Sequence, residues 1–382
     1  MRSIPVLMFH GVAPDRPDRP PQMDHWLEPG TLDRYLRQLR RSRTETLFLG
    51  ELREIREGKR RPPRRAAVLT FDDGYLDFWL YIFPLLQEHR VKATVFVTTD
   101  FIDPAGEPRS LPEAFPFGFL SWPEMCALEG SGLVEVQSHA RTHTWYPIGP
   151  KLLDVHRPDL PWKLLRGLWW NRFPERKPGW YREGRHDDLP WGLPVLENEK
   201  ALLARRYHLR PEIEEAMVAQ VAARGGAEFF GDPSWRSACE SAWREACAPY
   251  EESGTWESEE ERRARVAGEI RESREILSAG LGREVRYLCC PGGSLNAEVV
   301  ALARENGYDG ISIPRWFQDG RNAPGGDPFH FYRVPTTSVF RRLRSPATDA
   351  LAFTCRVNHE LGIFPYTAGW RALRALRRLG AI

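Results

Sequence analysis

Two adjacent carboxylates follow a short apolar stretch early in the chain. Thr70 and Phe71 end the stretch, and Asp72, Asp73 and Gly74 come directly after it. Neighbouring carboxylates repel each other, and a cation bound to one of them relieves the repulsion and leaves the other free to act as a base. The competing interpretation is an ordinary Asp-Gly turn with capping carboxylates, and the pentapeptide alone does not decide between the two.

A histidine pair forms a second cluster. His139 and His143 are four positions apart, so a single helical turn would place both imidazoles on one face, a spacing used for divalent metals. Together with Asp73 they offer two nitrogens and one carboxylate oxygen, and three protein ligands leave a coordination position open, as in catalytic metal sites. Ser138 and Thr142 are expected to orient the ligands. In isolation, a histidine pair at this spacing is more typical of a surface helix.

Short apolar runs alternate with helical patterns through most of the chain, which predicts a parallel sheet built from β-α units. The predicted strands are 6–9, 67–71, 94–97, 134–137, 286–289, 310–313 and 331–334. Both clusters therefore follow the carboxyl end of a strand, where α/β barrels place their active-site groups. Amphipathic helices are predicted at 31–42, capped by Thr31, and at 259–279, ending at Gly280 and Gly282.

The alternation fails between about 145 and 255. A connection of this length is too long for a plain loop, so it predicts an inserted subdomain with some helix of its own. The insert holds a large share of the tryptophans: Trp162, Trp169, Trp170, Trp180, Trp191, Trp235 and Trp243. Further on, 370–379 has the pattern of a basic amphipathic helix, for which a surface helix packed on the protein is favoured over a membrane-surface anchor.

Composition excludes several classes of function. Lys and Arg total 54 against 52 for Asp and Glu, a net charge of +2, so no nucleic-acid partner is expected. Six cysteines without regular spacing indicate a reducing compartment rather than a disulfide framework. The N-terminus lacks the apolar core of a signal peptide, and no run approaches the roughly 18 residues that span a bilayer. A cytoplasmic protein is expected, with membrane association only through the C-terminal helix, unless the true start lies upstream.

The motif Thr-Phe-Asp-Asp-Gly at 70–74, followed by Ser-His-x-x-Thr-His at 138–143, resembles the polysaccharide deacetylases, the NodB-type fold of carbohydrate esterase family four. The similarity continues at 286–296, 307–312 and 331–335, and it covers about 1–145 and 260–340. The resemblance implies a distorted parallel (β/α) barrel interrupted by a large, mostly helical insertion. We divide the chain accordingly into half-barrels at 1–144 and 259–340, the insert at 145–258 and a C-terminal tail at 341–382.

The resemblance also implies roles for the clustered residues. Asp72 would be the general base, and Asp73, His139 and His143 would bind one divalent metal ion, with Zn²⁺ first and Co²⁺, Ni²⁺ or Fe²⁺ as alternatives. Pro291 and Gly292 would shape the oxyanion pocket, with the Gly292 N–H as a donor. Trp122 resembles a family position near the site. Core packing is the competing interpretation for that tryptophan.

The general acid is expected on the first strand. The segment 5–11 looks like the first strand of the subgroup that modifies exopolysaccharides of N-acetylglucosamine. In that subgroup the histidine that acts as general acid lies on this strand, which makes His10 the candidate. No late Leu-x-His motif competes with it. His330 and His359 are weaker rivals, with a packed core histidine as the alternative for each.

One position departs from the family. Where many members carry an arginine that steadies the base, this chain has Cys289. Arg333 either supplies that charge at the site or forms a structural ion pair. The neighbouring Cys289 and Cys290 are interpreted as buried packing rather than as a redox pair or nucleophile.

The expected function is hydrolytic removal of N-acetyl groups from N-acetylhexosamine units of a glycan or glycolipid. One alternative is another amide hydrolase on the same fold, such as a deformylase of a lipid-linked sugar, and a second is a glycan-binding protein without turnover. The intact set of Asp72, Asp73, His139 and His143 argues against binding alone. The insert tryptophans either stack on sugar faces or form the insert's own core. Nothing in the sequence indicates an oligomeric state.

Overall fold

The computed structural model describes residues 3–14, 26–111, 117–183, 186–314, 318, 320–336 and 346–378. The strands are β1 (Val6–Phe9), β2 (Glu45–Thr46), β3 (Ala66–Phe71), β4 (Ala93–Val97), β5 (Val134–Ser138), β6 (Trp145–Val155), β7 (Pro194–Lys200), β8 (Tyr207–Leu209), β9 (Gly254–Trp256), β10 (Tyr287–Cys289), β11 (Gly310–Pro314) and β12 (His330–Pro335). The helices are α1 (Pro29–Arg41), α2 (Leu49–Arg56), α3 (Phe83–His89), α4 (Trp122–Gly130), α5 (Trp162–Arg172), α6 (Trp180–Glu183), α7 (Pro211–Ala223), α8 (Trp235–Cys247), α9 (Glu259–Leu281), α10 (Ala297–Glu305), α11 (Pro346–Glu360) and α12 (Tyr366–Arg378).

Seven parallel strands close into a barrel in the order β1-β12-β11-β10-β5-β4-β3, and β3 pairs back with β1. The two-residue strand β2 adds to the free side of β3. Residues of β1, β3 and β4 are buried throughout, because a barrel covered by helices leaves neither face of its strands to water. The predicted (β/α) barrel is confirmed, and each of the seven predicted strands is present within one or two residues.

The two predicted helices form, with different ends. The first begins at Pro29, a residue whose fixed φ suits the first helical position, so Thr31 lies inside the helix and the expected cap is wrong. Helix α9 begins with a capping box in which the Ser258 side chain accepts from the Glu261 N–H and the Glu261 carboxylate accepts from the Ser258 N–H. It ends at Gly282, whose φ of 67° terminates the helix.

The insert between β5 and α9 contains two antiparallel strand pairs, β6 with β7 and β8 with β9, beside helices α5 to α8. The expectation of a mostly helical insert missed these strands. In β6, Pro147, Gly149 and Pro150 obscure the pattern, but a two-stranded sheet has only edge strands, where proline is tolerated.

Three insert tryptophans form a core that the barrel shares. Trp169, Trp170 and Trp180 are buried in one apolar cluster with Phe101 and Phe119 of the barrel. For these three, packing is the observed role, although Trp170 and Trp180 also reach the cavity described below. Because insert and barrel share this cluster, the domain boundaries at 144 and 258 stay a prediction.

The predicted C-terminal helix is α12, which begins four residues early at Tyr366, while Leu379 lies outside the described residues. Trp370 is buried against α11 beneath Arg356, and α11 packs on α1 through the stacked rings of Phe353 and Tyr35, 4.0 Å apart. The packing favours the surface-helix interpretation, and membrane contact stays a prediction. Across the described ranges, no helix is both long and apolar enough to cross a membrane.

Candidate active site

A cavity of about 240 Å³ opens at the carboxyl ends of the barrel strands. Because all seven strands run parallel, residues that follow β1, β3, β5 and β10 meet at this one rim. The structure brings together nearly the whole predicted set there, and the predicted residues that line the cavity are His10, Asp72, Asp73, His139, His143, Gly292 and Arg333.

Three of these residues form a candidate metal site. The Asp73 Oδ1 atom lies 3.2 Å from the Nε2 atoms of both His139 and His143. Tetrahedral ligands held 2.0–2.1 Å from a zinc ion are about 3.3 Å apart, so the separations fit a single ion. Burial raises the pKa of Asp73, but hydrogen bonds and charge from the two histidines outweigh it and hold the pKa well below the usual value. Burial lowers the pKa of His143, which favours the neutral imidazole that metals bind.

The histidines meet through a loop, so the expected helical turn is wrong. Ala140 and His143 adopt left-handed backbone angles, with φ of 56° and 46°, and Asp73 does the same with φ of 75°. Left-handed residues other than glycine are costly, and they concentrate at functional sites where the surroundings hold them. The His139 Nδ1 atom lies 2.8 Å from the Cys289 carbonyl, which accepts its proton and leaves Nε2 for a metal.

The loop is anchored from behind. The Thr142 hydroxyl donates to the Glu269 carboxylate at 2.8 and 2.9 Å, and the Lys177 ammonium donates to the Thr142 carbonyl at 2.9 Å. The Ser138 hydroxyl pairs with that of Ser273 at 2.8 Å. Ser138 and Thr142 therefore hold the backbone of the loop, and their hydroxyls bond to other side chains rather than to the ligand imidazoles.

The second carboxylate, Asp72, faces a different set of charges. Arg333 Nη1 lies 2.5 Å from Asp72 Oδ1 and Nη2 lies 3.0 Å from Oδ2, and both residues are buried. The His10 Nε2 atom lies 3.9 Å from Asp72 Oδ2. Burial raises the pKa of Asp72, but the charges of Arg333, His139 and His10 outweigh it and lower the pKa below its ordinary value. The carboxylate is therefore ionised at neutral pH.

Arg333 thus combines both roles that the sequence left open, a buried ion pair and a charge at the expected base. Its Nη2 atom contacts the Cys289 thiol at 2.9 Å. A small side chain at 289 leaves room for a guanidinium that reaches the carboxylate from β12. The departure from the family at this position therefore coincides with an arginine supplied from another strand.

The Pro-Gly-Gly segment forms a short turn over 291–293. Pro291 is buried and begins the turn, and Gly292 has a φ of 57°. A Cβ on Gly292 would lie 3.1 Å from the Lys200 side chain of the insert, so both the backbone angle and the close approach suit glycine. Gly292 and Gly293 line the cavity, and because glycine has no side chain, backbone atoms form this part of the cavity wall.

Trp122 is not part of the described cavity wall. It begins α4, and its ring packs so closely on Gly280 of α9 that a Cβ there would lie 2.1 Å from it. This contact supports the core-packing interpretation, and the expected place near the site stays a prediction. His330 pairs with Asp327 at the opposite end of β12, and His359 stacks on Trp370, so of the three candidate acids only His10 lines the cavity.

The insert contributes five residues to the cavity wall: Trp145, Arg166, Trp170, Trp180 and Tyr181. The sequence offered Trp170 and Trp180 as either sugar-stacking or core residues, and it assigned none of the other three to the site. Nothing in their local pattern shows which part of the insert meets the barrel. Tyr75 was also missed, although it follows Gly74 directly. Burial and the charge of Asp73 raise the pKa of Tyr75 well above its ordinary value, so its hydroxyl stays protonated.

Comparison with known proteins supports the resemblance. Residues 59–157 match the polysaccharide deacetylase family. A stretch of 115 residues is 30% identical to the poly-β-1,6-N-acetyl-D-glucosamine N-deacetylase of Escherichia coli K12, covering 28% of this chain and 16% of that protein. The chain thus matches about a sixth of the length of that relative. The resemblance predicted from the motifs is confirmed.

Two solved structures share the fold. The BpsB deacetylase domain of Bordetella bronchiseptica superposes with a TM-score of 0.52 at 21% identity, over 87% of this chain and 95% of that one. A de-N-acetylase of Aggregatibacter actinomycetemcomitans superposes with a TM-score of 0.51 at 16% identity, over 87% of this chain and 94% of that one. At sequence identities this low, the two comparisons show a shared fold and nothing more.

Proposed function

We propose that this deacetylase-like barrel hydrolyses N-acetyl groups of N-acetylhexosamine units in a glycan or glycolipid, with the help of one divalent metal ion. The observation that carries the proposal is the division of two adjacent carboxylates. Asp73 faces two histidine nitrogens at 3.2 Å, and Asp72 faces Arg333 and His10. Such a division separates a metal ligand from a base.

Asp73, His139 and His143 would hold the metal ion. Two nitrogens and one oxygen suit zinc, which we propose first, and also cobalt, nickel or iron. When bound, such an ion supplies a Lewis acid for the acetyl carbonyl and lowers the pKa of a coordinated water. The hydrogen bond from His139 Nδ1 to the Cys289 carbonyl supports this set, because metal-bound histidines generally donate their other nitrogen.

The residues of the chain perform the proton transfers. Asp72 accepts a proton from the attacking water, while Arg333 fixes the orientation of the carboxylate and keeps it ionised. The oxygen of the attacked carbonyl gains negative charge, which the Gly292 N–H stabilises as a donor. His10 protonates the leaving nitrogen as the carbon–nitrogen bond breaks. Water and the amide thereby yield acetate and a free amino sugar.

Acetate release from N-acetylglucosamine oligosaccharides tests the proposal. With added zinc we expect turnover that a chelator abolishes, and Asp72→Asn should lower kcat by about 100-fold or more, the scale of general-base catalysis. The matched control is Asp159→Asn, at a carboxylate whose side chain is 81% exposed, which should leave kcat unchanged. Turnover that survives both chelation and Asp72→Asn would contradict the proposal.

The same assay separates the two alternatives. Formate released from an N-formyl sugar, without acetate from any N-acetyl sugar, would identify a deformylase. Glycan binding without release of either acid would identify a binding protein. The Arg333 pair supports turnover, because it keeps the expected base ionised inside the cavity.

A further inference from the structure

Arg166 of α5 is an arginine that the insert places in the wall of the cavity, together with Asp73 and His143. Its guanidinium carbon lies 4.2 Å from the ring centroid of Trp145 and 5.5 Å from that of Trp170. The two indoles hold the guanidinium by cation–π contact. Such contact orients a cation without neutralising its charge.

The positive charge of Arg166 is not balanced by an ion pair within the described ranges. There it makes no ion pair with a carboxylate, and its buried Nε atom has no hydrogen-bond partner. Burial lowers the pKa of Arg166, and the groups that oppose this are Tyr75, Tyr181 and Asp73. Arginine remains charged even so, since its ordinary pKa exceeds 12.

The contrast with Arg333 is informative. Both arginines line the same cavity, but the charge of Arg333 is balanced by Asp72 through two hydrogen bonds. Asp73, the carboxylate whose field reaches Arg166, already faces two histidines. Arg166 is half-buried, and a partly desolvated cation without an ion-pair partner is unfavourable, a cost that an anionic ligand group would lower on binding.

We infer that Arg166 binds an anionic group, a carboxylate or a phosphate, carried by the acetylated sugar that enters the cavity. This inference rests on the proposed function and narrows its substrates from N-acetylhexosamine units in general to those that carry an acidic group. The guanidinium has five N–H donors in a planar fork that matches either oxyanion. The insert, rather than the barrel, thereby sets the preference for charge.

Binding of sugars that contain no amide tests the inference without turnover. Glucose, glucose 1-phosphate and glucuronic acid are titrated into the protein, and isothermal titration calorimetry measures the affinity of each. At least one anionic sugar should bind tenfold or more tightly than glucose, and the preference should decline as salt is raised. Which of the two is preferred distinguishes phosphate from carboxylate.

Variants of Arg166 then test whether this residue causes the preference for anionic sugars. Arg166→Gln should bring all three affinities within about twofold of each other, and Arg166→Lys should retain part of the preference. The matched control is Arg172→Gln on the same helix, whose side chain pairs with Glu214 outside this cavity, and it should keep the full preference.

Two outcomes would overturn the inference. One is equal binding of the three sugars by the unaltered protein, a measurement that requires no variant to fold. The other is an equal loss for all three sugars in Arg166→Gln, which would assign Arg166 to packing between the tryptophans. Failure of acetate release with an intact anion preference would instead contradict only the proposed function.

Discussion

Arg333 and Asp72 form a bidentate ion pair, at 2.5 and 3.0 Å, across the strands that close the barrel. Arg333 lies in β12 and Asp72 follows β3, and β1 pairs with both strands. Both side chains are buried, at 2% and 4% exposure, so each charge depends on the other for compensation. The stability of the fold is therefore expected to depend on the protonation state of the expected base.

Removal of the arginine should destabilise the protein. Arg333→Met leaves the Asp72 charge buried and unpaired, and loss of one partner of such a pair costs about 3–5 kcal/mol. Unfolding in urea measures the change. Arg263→Met is the control, because Arg263 is 49% exposed and should change stability by no more than about 0.5 kcal/mol. Equal effects of the two substitutions would contradict a compensated buried pair.

Acid should weaken the fold partly through Asp72. Its folded-state pKa is lowered, so its contribution to stability is complete above the unfolded pKa near 4 and is lost as pH falls through the folded value. In Asp72→Asn the free energy of unfolding should therefore fall less steeply below about pH 4 than in the unaltered protein. Urea unfolding at a series of pH values, with chelator present, measures the slope. Parallel slopes would refute this linkage.

Loss of one candidate ligand should abolish tight metal binding. His143→Ala removes one of three donors, and we expect zinc affinity to fall by at least about 100-fold, since even outer partners of a ligand are worth 10- to 100-fold. Competition with a chromophoric chelator measures the affinity, and zinc should no longer raise the Tm. His208→Ala, on β8 and outside the site, should bind zinc normally.

The anchor behind the histidine loop should act on the metal indirectly. Thr142→Val removes the hydroxyl that donates to buried Glu269 and leaves that carboxylate less satisfied, at a cost of about 1–3 kcal/mol. Zinc affinity should fall by about 10-fold or more because the loop loses its support. In Thr354→Val, where the hydroxyl donates to the Ala350 carbonyl in α11, zinc affinity should stay unchanged.

The adjacent cysteines should be inert. Burial raises the pKa of Cys289 well above its ordinary value and that of Cys290 to about 12, so neither thiol ionises at neutral pH. Iodoacetamide should label exposed Cys126, as mass spectrometry would show, without loss of acetate release. Labelling of Cys289 or Cys290 together with inactivation would revive the nucleophile interpretation.

The sequence by itself was sufficient for a parallel sheet and for much of the site, and the resemblance to the polysaccharide deacetylases predicted that the sheet closes into a barrel. Buried parallel strands are continuous apolar runs, and residues after their carboxyl ends must share one rim, whatever the intervening helices do. This is why Asp72, Asp73 and His139 were expected at one place. Their catalytic roles stay predictions, which the experiments above address.

Tertiary structure alone decided the contacts between distant segments. Arg333 lies 261 positions from Asp72, and its approach depends on strand register and on the small side chain of Cys289. The placement of Arg166 beside Asp73 depends on how the insert packs on Phe101 and Phe119. Local patterns encode burial and periodicity along one segment, whereas these pairings arise from the packing of segments that no local pattern relates.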